Sequence, residues 1–468
     1  MASGDKMDLL RTFLGSLPAG LAGKVARAVE VDRLNNGKML PHDLILESLR
    51  PSLRDEERAE RTHTPMRLFC QPFEDLLAND QKSQKLKGRI SRSSITPVWN
   101  WLAQDLIPDV LNAFSLAVKT AAMGYGTEDL ETRAAEFWKT ASSTMRAKLA
   151  SESGRRAARQ AVGGDAIVED AREMAIMLQA GPEICRLQER LARRVPSLTD
   201  DIVRAFREIY EEVALKTPEV APYLPLVVMK RLEHPWEALR LPLEIPPDSE
   251  AGATASTNSE LGMAGEILFG AIEAHAAAIL AAQPNQFNAD ILVAHVEAFA
   301  TLSAGVAKEI ELRRDGAWGQ RLVKDRAAVA EAMDNLMERA AMEIFAALPM
   351  LEAADGTPRV PDMSQPADPE KSDRALSYAR LLAGCRSFAS SASFAASLKR
   401  ADEEAGVSLQ RYNEDIVRAL RDASDEQRFN AEQFAALATE LTAILFSPEE
   451  GEFLRRRGRA AVSEPVAA

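Results

Sequence analysis

The histidines of this chain are the first candidates for catalysis or metal binding. They number five: His42, His63, His234, His275 and His295. None lies in an H-E-x-x-H motif, or beside a cysteine or carboxylate at the spacing of metal ligands on a helix. In the segment ILVAHVEAF, His295 has mostly apolar neighbours, which favours a buried or half-buried structural ring. We therefore predict no metal site.

Sequence motifs for nucleophilic catalysis and nucleotide binding are also missing. The chain has no G-x-S-x-G nucleophile elbow, P-loop, kinase signature or EF-hand loop. The segment GYGTED at 124–129 lacks the third glycine and the preceding strand of a dinucleotide fingerprint. We expect Gly124 to end one helix and Thr127 to cap the next. The sequence thus predicts no catalytic residue and no cofactor.

One basic stretch stands out in this acidic chain, just before the segment ITPVWNWL. Five cations lie between residues 81 and 92 with no acidic residue among them. They are Lys82, Lys85, Lys87, Arg89 and Arg92. Gly88 and the neighbouring serines add flexibility and hydrogen-bond donors, which suits contact with phosphate or another anion. Two interpretations are open: a solvated basic loop, or a contact site for an anion, an acidic protein or a nucleic acid.

The residues after this stretch predict a buried helix. Thr96 is the candidate cap and Pro97 the first helical residue, and both Trp99 and Trp101 lie in the apolar segment that follows. Tryptophans two residues apart cannot share one helix face fully, so we expect at least one to be buried. Nucleic-acid stacking uses exposed aromatics between basic residues, an arrangement this order does not give. We expect segment 80–94 to be an exposed, mobile loop.

Composition bounds the class of protein. The chain has 468 residues, of which 46% are hydrophobic and 27% charged, as in globular proteins with two to four domains. Its net charge of −13 repels phosphate backbones and anionic membranes, which restricts nucleic-acid binding to a local basic loop. The three cysteines are far apart and form no C-x-x-C, so we expect no disulfide framework or zinc site. They are Cys70, Cys185 and Cys385.

The cellular location of the protein is predicted from the lack of a signal-peptide pattern and of a long apolar segment. Asp5 and Asp8 interrupt the pattern of a secretory signal peptide. The longest uncharged apolar run, near residues 275–282, is short and rich in alanine, whereas a membrane span needs about 18 or more apolar residues. We therefore predict a cytoplasmic protein that does not contact a membrane.

Hydrophobic periodicity predicts helices along most of the chain. Apolar residues recur at steps of three, four and seven in segments 198–213 and 321–348. The best strand candidate, YLPLVVM at 223–229, also fits a short buried helix. The segments DIVRAFR (201–207) and DIVRALR (415–421) differ in their flanks, so we interpret them as two similar amphipathic helices rather than a repeat. The predicted fold is all-α: several helical bundles or an extended helical array.

Stretches rich in proline, serine and acids divide the predicted helices into regions. The regions are an N-terminal helical region ending in the basic loop (1–95), a helical bundle (96–245), a linker (246–260), a second bundle (261–352), a second linker (353–373) and a C-terminal helical region (374–468).

The sequence predicts a function by the absence of catalytic motifs. We expect a non-enzymatic helical scaffold or adaptor that acts through protein–protein contacts on its helix faces. Two alternatives are open: an enzyme whose active site is assembled from dispersed polar residues, and a protein that contacts an anion or nucleic acid through residues 82–92. The predicted partners are proteins, and the sequence gives no oligomeric state.

Overall fold

The protein is described by a computed structural model. It covers residues 64–79, 85–122, 129–245, 257–309, 317–351 and 360–463, together with scattered positions between residues 14 and 49. Two compact units divide the chain: unit 1 comprises residues 1–264 and unit 2 residues 265–468. Helices dominate both units, which confirms the predicted all-α class. The six-region division of the chain stays a prediction, and the predicted caps Gly124 and Thr127 lie outside the described residues.

Unit 1 consists of short and medium helices joined by tight turns. Its described helices are α1 (Pro65–Cys70), α2 (Ile95–Trp101), α3 (Pro108–Ala122), α4 (Leu130–Ala150), α5 (Glu152–Val162), α6 (Asp165–Met177), α7 (Gly181–Arg190), α8 (Asp200–Lys216) and α9 (Leu224–Arg231). Short 3-10 or π turns occupy Gln71–Leu76, Arg92–Ser94, Leu102–Leu106, Leu178–Ala180, Ala221–Tyr223 and Pro235–Glu244. Strands β1 (Leu77–Ala78) and β2 (Ile90–Ser91) form one small parallel pair.

The core of unit 1 is built around α4. Its Phe137 ring stacks on Phe114 of α3 with the ring centroids 4.2 Å apart. Trp138, the next residue, donates its indole N–H to the carbonyl of Leu68 at 3.0 Å, so the polar group of this buried ring is satisfied. These contacts fix α1 and α3 against α4.

Helix α9 is enclosed by the rest of unit 1. The strand candidate at 223–229 forms this helix instead, and residues 224–229 are all buried. Pro225 lies in the first turn, where its missing N–H costs no intrahelical hydrogen bond. The apolar run is therefore a buried helix, the alternative that the sequence also allowed.

Unit 2 is a bundle of longer helices. Its described helices are α10 (Thr257–Leu280, which begins before residue 265), α11 (Ala289–Glu309), α12 (Ala317–Ala346), α13 (Pro369–Cys385), α14 (Ala395–Asp422), α15 (Asp425–Leu445) and α16 (Pro448–Ser463). Helix α12 packs on α13 and α14, and α15 packs on α16. The two similar segments 201–207 and 415–421 lie in α8 and α14, and both helices bury one apolar face.

Two helices that the structure describes are long and apolar enough to cross a membrane. They are Gly262–Leu280 and Ala289–Glu309, with mean hydropathy 1.4 in each. About half of each apolar window (50% and 44%) is buried inside the protein, and the core helices of a folded bundle have the same length and composition. The expectation that the chain does not contact a membrane stays a prediction.

Candidate anion-contact site

The basic stretch lies between strand β1 and helix α2 and includes strand β2, and its described cations have different environments. Lys82 lies outside the described residues. Lys85 is half-buried and forms ion pairs, Arg89 is partly exposed, and Lys87 and Arg92 are exposed. The structure therefore separates Lys85 from its neighbours.

Two buried carboxylates of helix α6 hold Lys85. Asp170 is fully buried and Glu173 is 6% exposed. The Lys85 ammonium donates to Asp170 Oδ1 at 2.5 Å and to Glu173 Oε2 at 2.8 Å. It also donates to the carbonyl of Arg89 at 2.5 Å, which closes the turn between residues 85 and 89. A charged pair is tolerated in a protein interior only when such hydrogen bonds satisfy it.

The same carboxylates hold the backbone of the basic stretch. Glu173 Oε1 accepts from the backbone N–H of Gly88 at 2.9 Å. Asp170 Oδ2 accepts from the backbone N–H of Ser91 at 3.2 Å and from the Ser94 hydroxyl at 2.6 Å. Gly88 has a φ of +82°, in the left-handed region where only glycine is unstrained. We call this set of residues the buried anchor: Lys85, Gly88, Ser91, Ser94, Asp170 and Glu173.

Electrostatics in the anchor are dominated by burial. Burial raises the pKa of Glu173, and Lys85 and the Gly88 N–H oppose the shift by favouring the ionised form. Burial also raises the pKa of the nearby Tyr223 hydroxyl, and the charge of Glu173 adds to that rise. The Tyr223 hydroxyl is buried and has no hydrogen-bond partner among the residues that the structure describes. An unpaired buried hydroxyl lowers the stability of the folded state, and this one is not part of the hydrogen-bond network of the anchor.

The prediction of an exposed loop is wrong for part of segment 85–94: Lys87, Arg92 and Ser93 are exposed, but their neighbours are buried or half-buried. Ile90 and Ser94 are fully buried and Ser91 is 2% exposed. The physical reason is that Asp170 and Glu173, about 80 residues downstream, supply the acceptors that the local sequence lacks. Residues 80–84 of the predicted loop lie outside the described residues.

The helix after the basic stretch begins close to its predicted place. Helix α2 starts at Ile95, so Thr96 lies inside the helix rather than at its cap. Trp101 is 4% exposed, which confirms that at least one tryptophan is buried. Trp99 is half-buried, with its ring centroid 5.6 Å from that of Phe69. Neither ring is a free stacking platform.

We give the name basic surface to the described cations of the stretch outside the anchor together with Lys230, which lies near Arg89: Lys87, Arg89, Arg92 and Lys230. Within the described part of the chain, none of the four is within ion-pair distance of a carboxylate. Lys230, in the last turn of α9, is exposed, but surrounding protein and then the positive charge of Arg89 lower its pKa. A cation with a lowered pKa gains from an anionic partner, which would restore its charged form.

Sequence reasoning missed Asp170, Glu173 and Lys230. The two acids are three residues apart and share a helix face with the buried residues Met174 and Met177. Carboxylates on an apolar helix face require a buried partner, so this pattern was a usable signal. Lys230 gave no signal, because only the packing of α9 brings it near Arg89.

An open groove elsewhere in unit 1 is the candidate active site for the alternative in which the protein is an enzyme. It has a volume of about 760 Å³ and is lined by α4, α7 and the turn before α7. Its wall residues include Glu136, Lys139 and Glu183, and the described part of the wall contains no histidine or cysteine. Ser142 in the wall donates its hydroxyl to the Ala175 carbonyl at 2.6 Å, so it is not paired with a base. The groove shows no nucleophile and base in contact.

Comparison with known proteins adds no family. Neither a protein-family model, a curated protein nor a solved structure matches this chain. Function is therefore argued from the residues of the site alone.

Proposed function

We propose that this protein is a non-enzymatic helical scaffold that binds an acidic segment of a partner protein through the basic surface. The observation that carries the proposal is the contrast within one stretch: Lys85 is used by the buried anchor, whereas Lys87, Arg89, Arg92 and Lys230 have no ion-pair partner among the described residues. Unpaired cations next to a fixed backbone suit a complementary anionic surface.

The buried anchor supports binding by fixing the backbone beneath the basic surface. Gly88 and Ser91, which alternate with Lys87, Arg89 and Arg92 along the chain, donate their N–H groups to buried carboxylates. A surface that is already ordered loses less conformational entropy when a partner binds. The backbone that carries Lys87, Arg89 and Arg92 is therefore held in the free protein.

The chemistry of the partner follows from charge and from the aromatic residues. The chain carries a net charge of −13, so long nucleic acids are repelled outside the basic surface. Trp101 is buried and Trp99 half-buried, so neither offers a free face for stacking of bases. A short acidic protein segment needs only the local cations, and it is the partner class that these residues favour.

The test measures binding of a short fluorescent polyglutamate peptide to the full chain by fluorescence anisotropy. We expect affinity to fall as salt rises, because exposed charges are screened over about 8 Å at physiological salt. The variant Lys87→Gln/Arg89→Gln/Arg92→Gln/Lys230→Gln should bind about tenfold more weakly or worse. Four exposed ion pairs at roughly 0.2–1 kcal/mol each account for that loss.

A matched control separates a specific surface from net charge. The variant Lys119→Gln/Lys139→Gln/Lys148→Gln/Arg156→Gln removes the same charge from exposed positions of unit 1. It should bind the peptide as tightly as the wild-type protein. Equal loss in both variants contradicts the proposal, and so does tighter binding of a single-stranded oligonucleotide than of the peptide.

A further inference from the structure

Two histidines of unit 2 meet across a helical hairpin. His275 on α10 and His295 on α11 are 20 residues apart in the chain, and their Nδ1 atoms lie 2.9 Å apart. The ring centroids are 5.2 Å apart and the ring planes are inclined by 55°. Both side chains are half-buried, so solvent reaches the pair. This pairing is independent of the basic surface, which belongs to unit 1.

Helix α10 is held in place close to His275. Arg321 of α12 donates to Glu273 at 2.9 Å and to Glu266 at 2.7 Å. Trp318 of the same helix donates its indole N–H to Glu266 at 3.0 Å. Glu273 precedes His275 by two residues, so these bonds fix the backbone that carries the imidazole.

Helix α11 is held on the other side of the pair. A Cβ atom added at Gly384 of α13 would lie 2.8 Å from Val293 Cγ2, so the two helices approach closely at this glycine. The hairpin connection is also fixed, because the Tyr378 hydroxyl donates to the Pro284 carbonyl at 2.9 Å. Since Val293 precedes His295 by two residues, both imidazoles project from restrained backbone and keep their distance from each other.

We propose that His275 and His295 form a binding site for one divalent transition-metal ion that prefers nitrogen ligands, with copper(II) bound most tightly and water completing its coordination. Among the described residues no third histidine, cysteine or carboxylate joins the pair. Two imidazole nitrogens with solvent access are the ligands that such ions accept, and copper(II) leads the affinity order of the divalent series.

The two nitrogens are close enough for one metal ion to bind both. Metal–nitrogen bonds of about 2.05 Å at a right angle place two nitrogens about 2.9 Å apart, whereas a tetrahedral angle requires about 3.3 Å. The observed Nδ1–Nδ1 distance of 2.9 Å is close to both values. Because hydrogen-bonded nitrogens point at each other, both rings turn about Cβ–Cγ, a broad torsion in histidine, when a metal ion binds. The preference for copper(II) therefore rests on the affinity order of the divalent ions.

The protonation state of the pair also suits a metal. Only one proton fits between two nitrogens 2.9 Å apart, because two facing N–H groups would repel each other. When that proton moves to Nε2 of the same ring, both Nδ1 lone pairs are free to bind a metal ion.

The test titrates metal-free full-length protein with copper(II) at slightly alkaline pH, followed by calorimetry and electron paramagnetic resonance. We expect one site, and a spectrum with hyperfine coupling to two imidazole nitrogens. His275→Gln and His295→Gln should each weaken binding by about tenfold or more, since even loss of an outer-shell partner costs that much. The control His42→Gln/His234→Gln changes two histidines outside the pair and should leave the site intact.

Three outcomes overturn the proposal. They are unchanged copper(II) affinity in folded His275→Gln or His295→Gln protein, a wild-type spectrum without two coordinated imidazoles, and tighter binding of zinc(II) than of copper(II). Circular dichroism shows whether each variant folds. If one does not, the spectrum of the wild-type protein decides the question alone.

Discussion

The inner and outer sides of the basic stretch use the same residue types in opposite ways. On the inner side, Lys85 lies between Asp170 and Glu173 and is 23% exposed, so its charge is part of the fold. On the outer side, Lys87 is exposed and lies near no carboxylate within ion-pair distance in the described part of the chain. Two residues of sequence separate a structural lysine from one that is available to a partner.

The contrast shows that partners, and not residue type, decide what a cation does. Removing one member of a buried ion pair leaves the other charge uncompensated, which costs far more than losing an exposed pair. Changes on the inner side should therefore alter stability, and changes on the outer side should alter binding.

The largest effect is expected for Asp170→Asn, which removes the buried charge that holds Lys85, Ser91 and Ser94. We expect the free energy of unfolding of unit 1 to fall by about 3–5 kcal/mol. Urea unfolding followed by tryptophan fluorescence measures this change, because four of the five tryptophans lie in unit 1. The control Asp201→Asn changes an exposed carboxylate and should cost about 0.5 kcal/mol or less. An equally small loss of stability in Asp170→Asn would contradict the distinction between the inner and outer sides of the stretch.

A smaller effect is expected in the pH dependence of Glu173→Gln. Burial raises the folded-state pKa of Glu173 above its unfolded value of 4.5. Such a group binds its proton more tightly in the folded protein than in the unfolded chain. Its contribution to stability is therefore fully present below the unfolded-state pKa and is lost as pH rises through the folded-state pKa. The stability of the wild-type protein relative to Glu173→Gln should therefore fall as pH rises from about 4 towards neutral.

Urea unfolding of both proteins across this pH range measures that difference. Lys87→Gln serves as the matched control, because it replaces an exposed side chain outside the buried anchor and should leave the pH dependence of stability as in the wild-type protein. A difference between wild type and Glu173→Gln that grows with pH would show that the ionised carboxylate is stabilising, against the role of burial described here.

Much of the fold was predictable from the sequence because helix periodicity is a local property. The apolar steps in segments 198–213 and 321–348 predicted helices that the structure contains as α8 and α12. The helix near Thr96 was misplaced by a residue or two, since its first turn follows Ser91 and Ser94, which are fixed by α6. Helix ends depend on such long-range contacts more than helix interiors do.

The candidate sites were less predictable because they depend on contacts between distant parts of the chain. The carboxylates that bury segment 85–94 lie on α6, and only packing shows which lysine they take. His275 and His295 fit no metal motif, because the hairpin of α10 and α11 brings them together rather than their spacing on one helix. Composition singled out the basic stretch as a candidate site but could not divide its inner from its outer side.

The most direct test compares two identical substitutions two residues apart, Lys85→Gln and Lys87→Gln. Each variant is unfolded with urea and titrated with the polyglutamate peptide. Lys85→Gln should lose about 3 kcal/mol of unfolding free energy, the low end for a broken buried pair, because Lys85 is partly exposed. Lys87→Gln should change stability by about 0.5 kcal/mol or less and weaken peptide binding. Equal stability losses in the two variants, or peptide binding that is unaffected by Lys87→Gln, would contradict the division between a buried anchor and a basic surface.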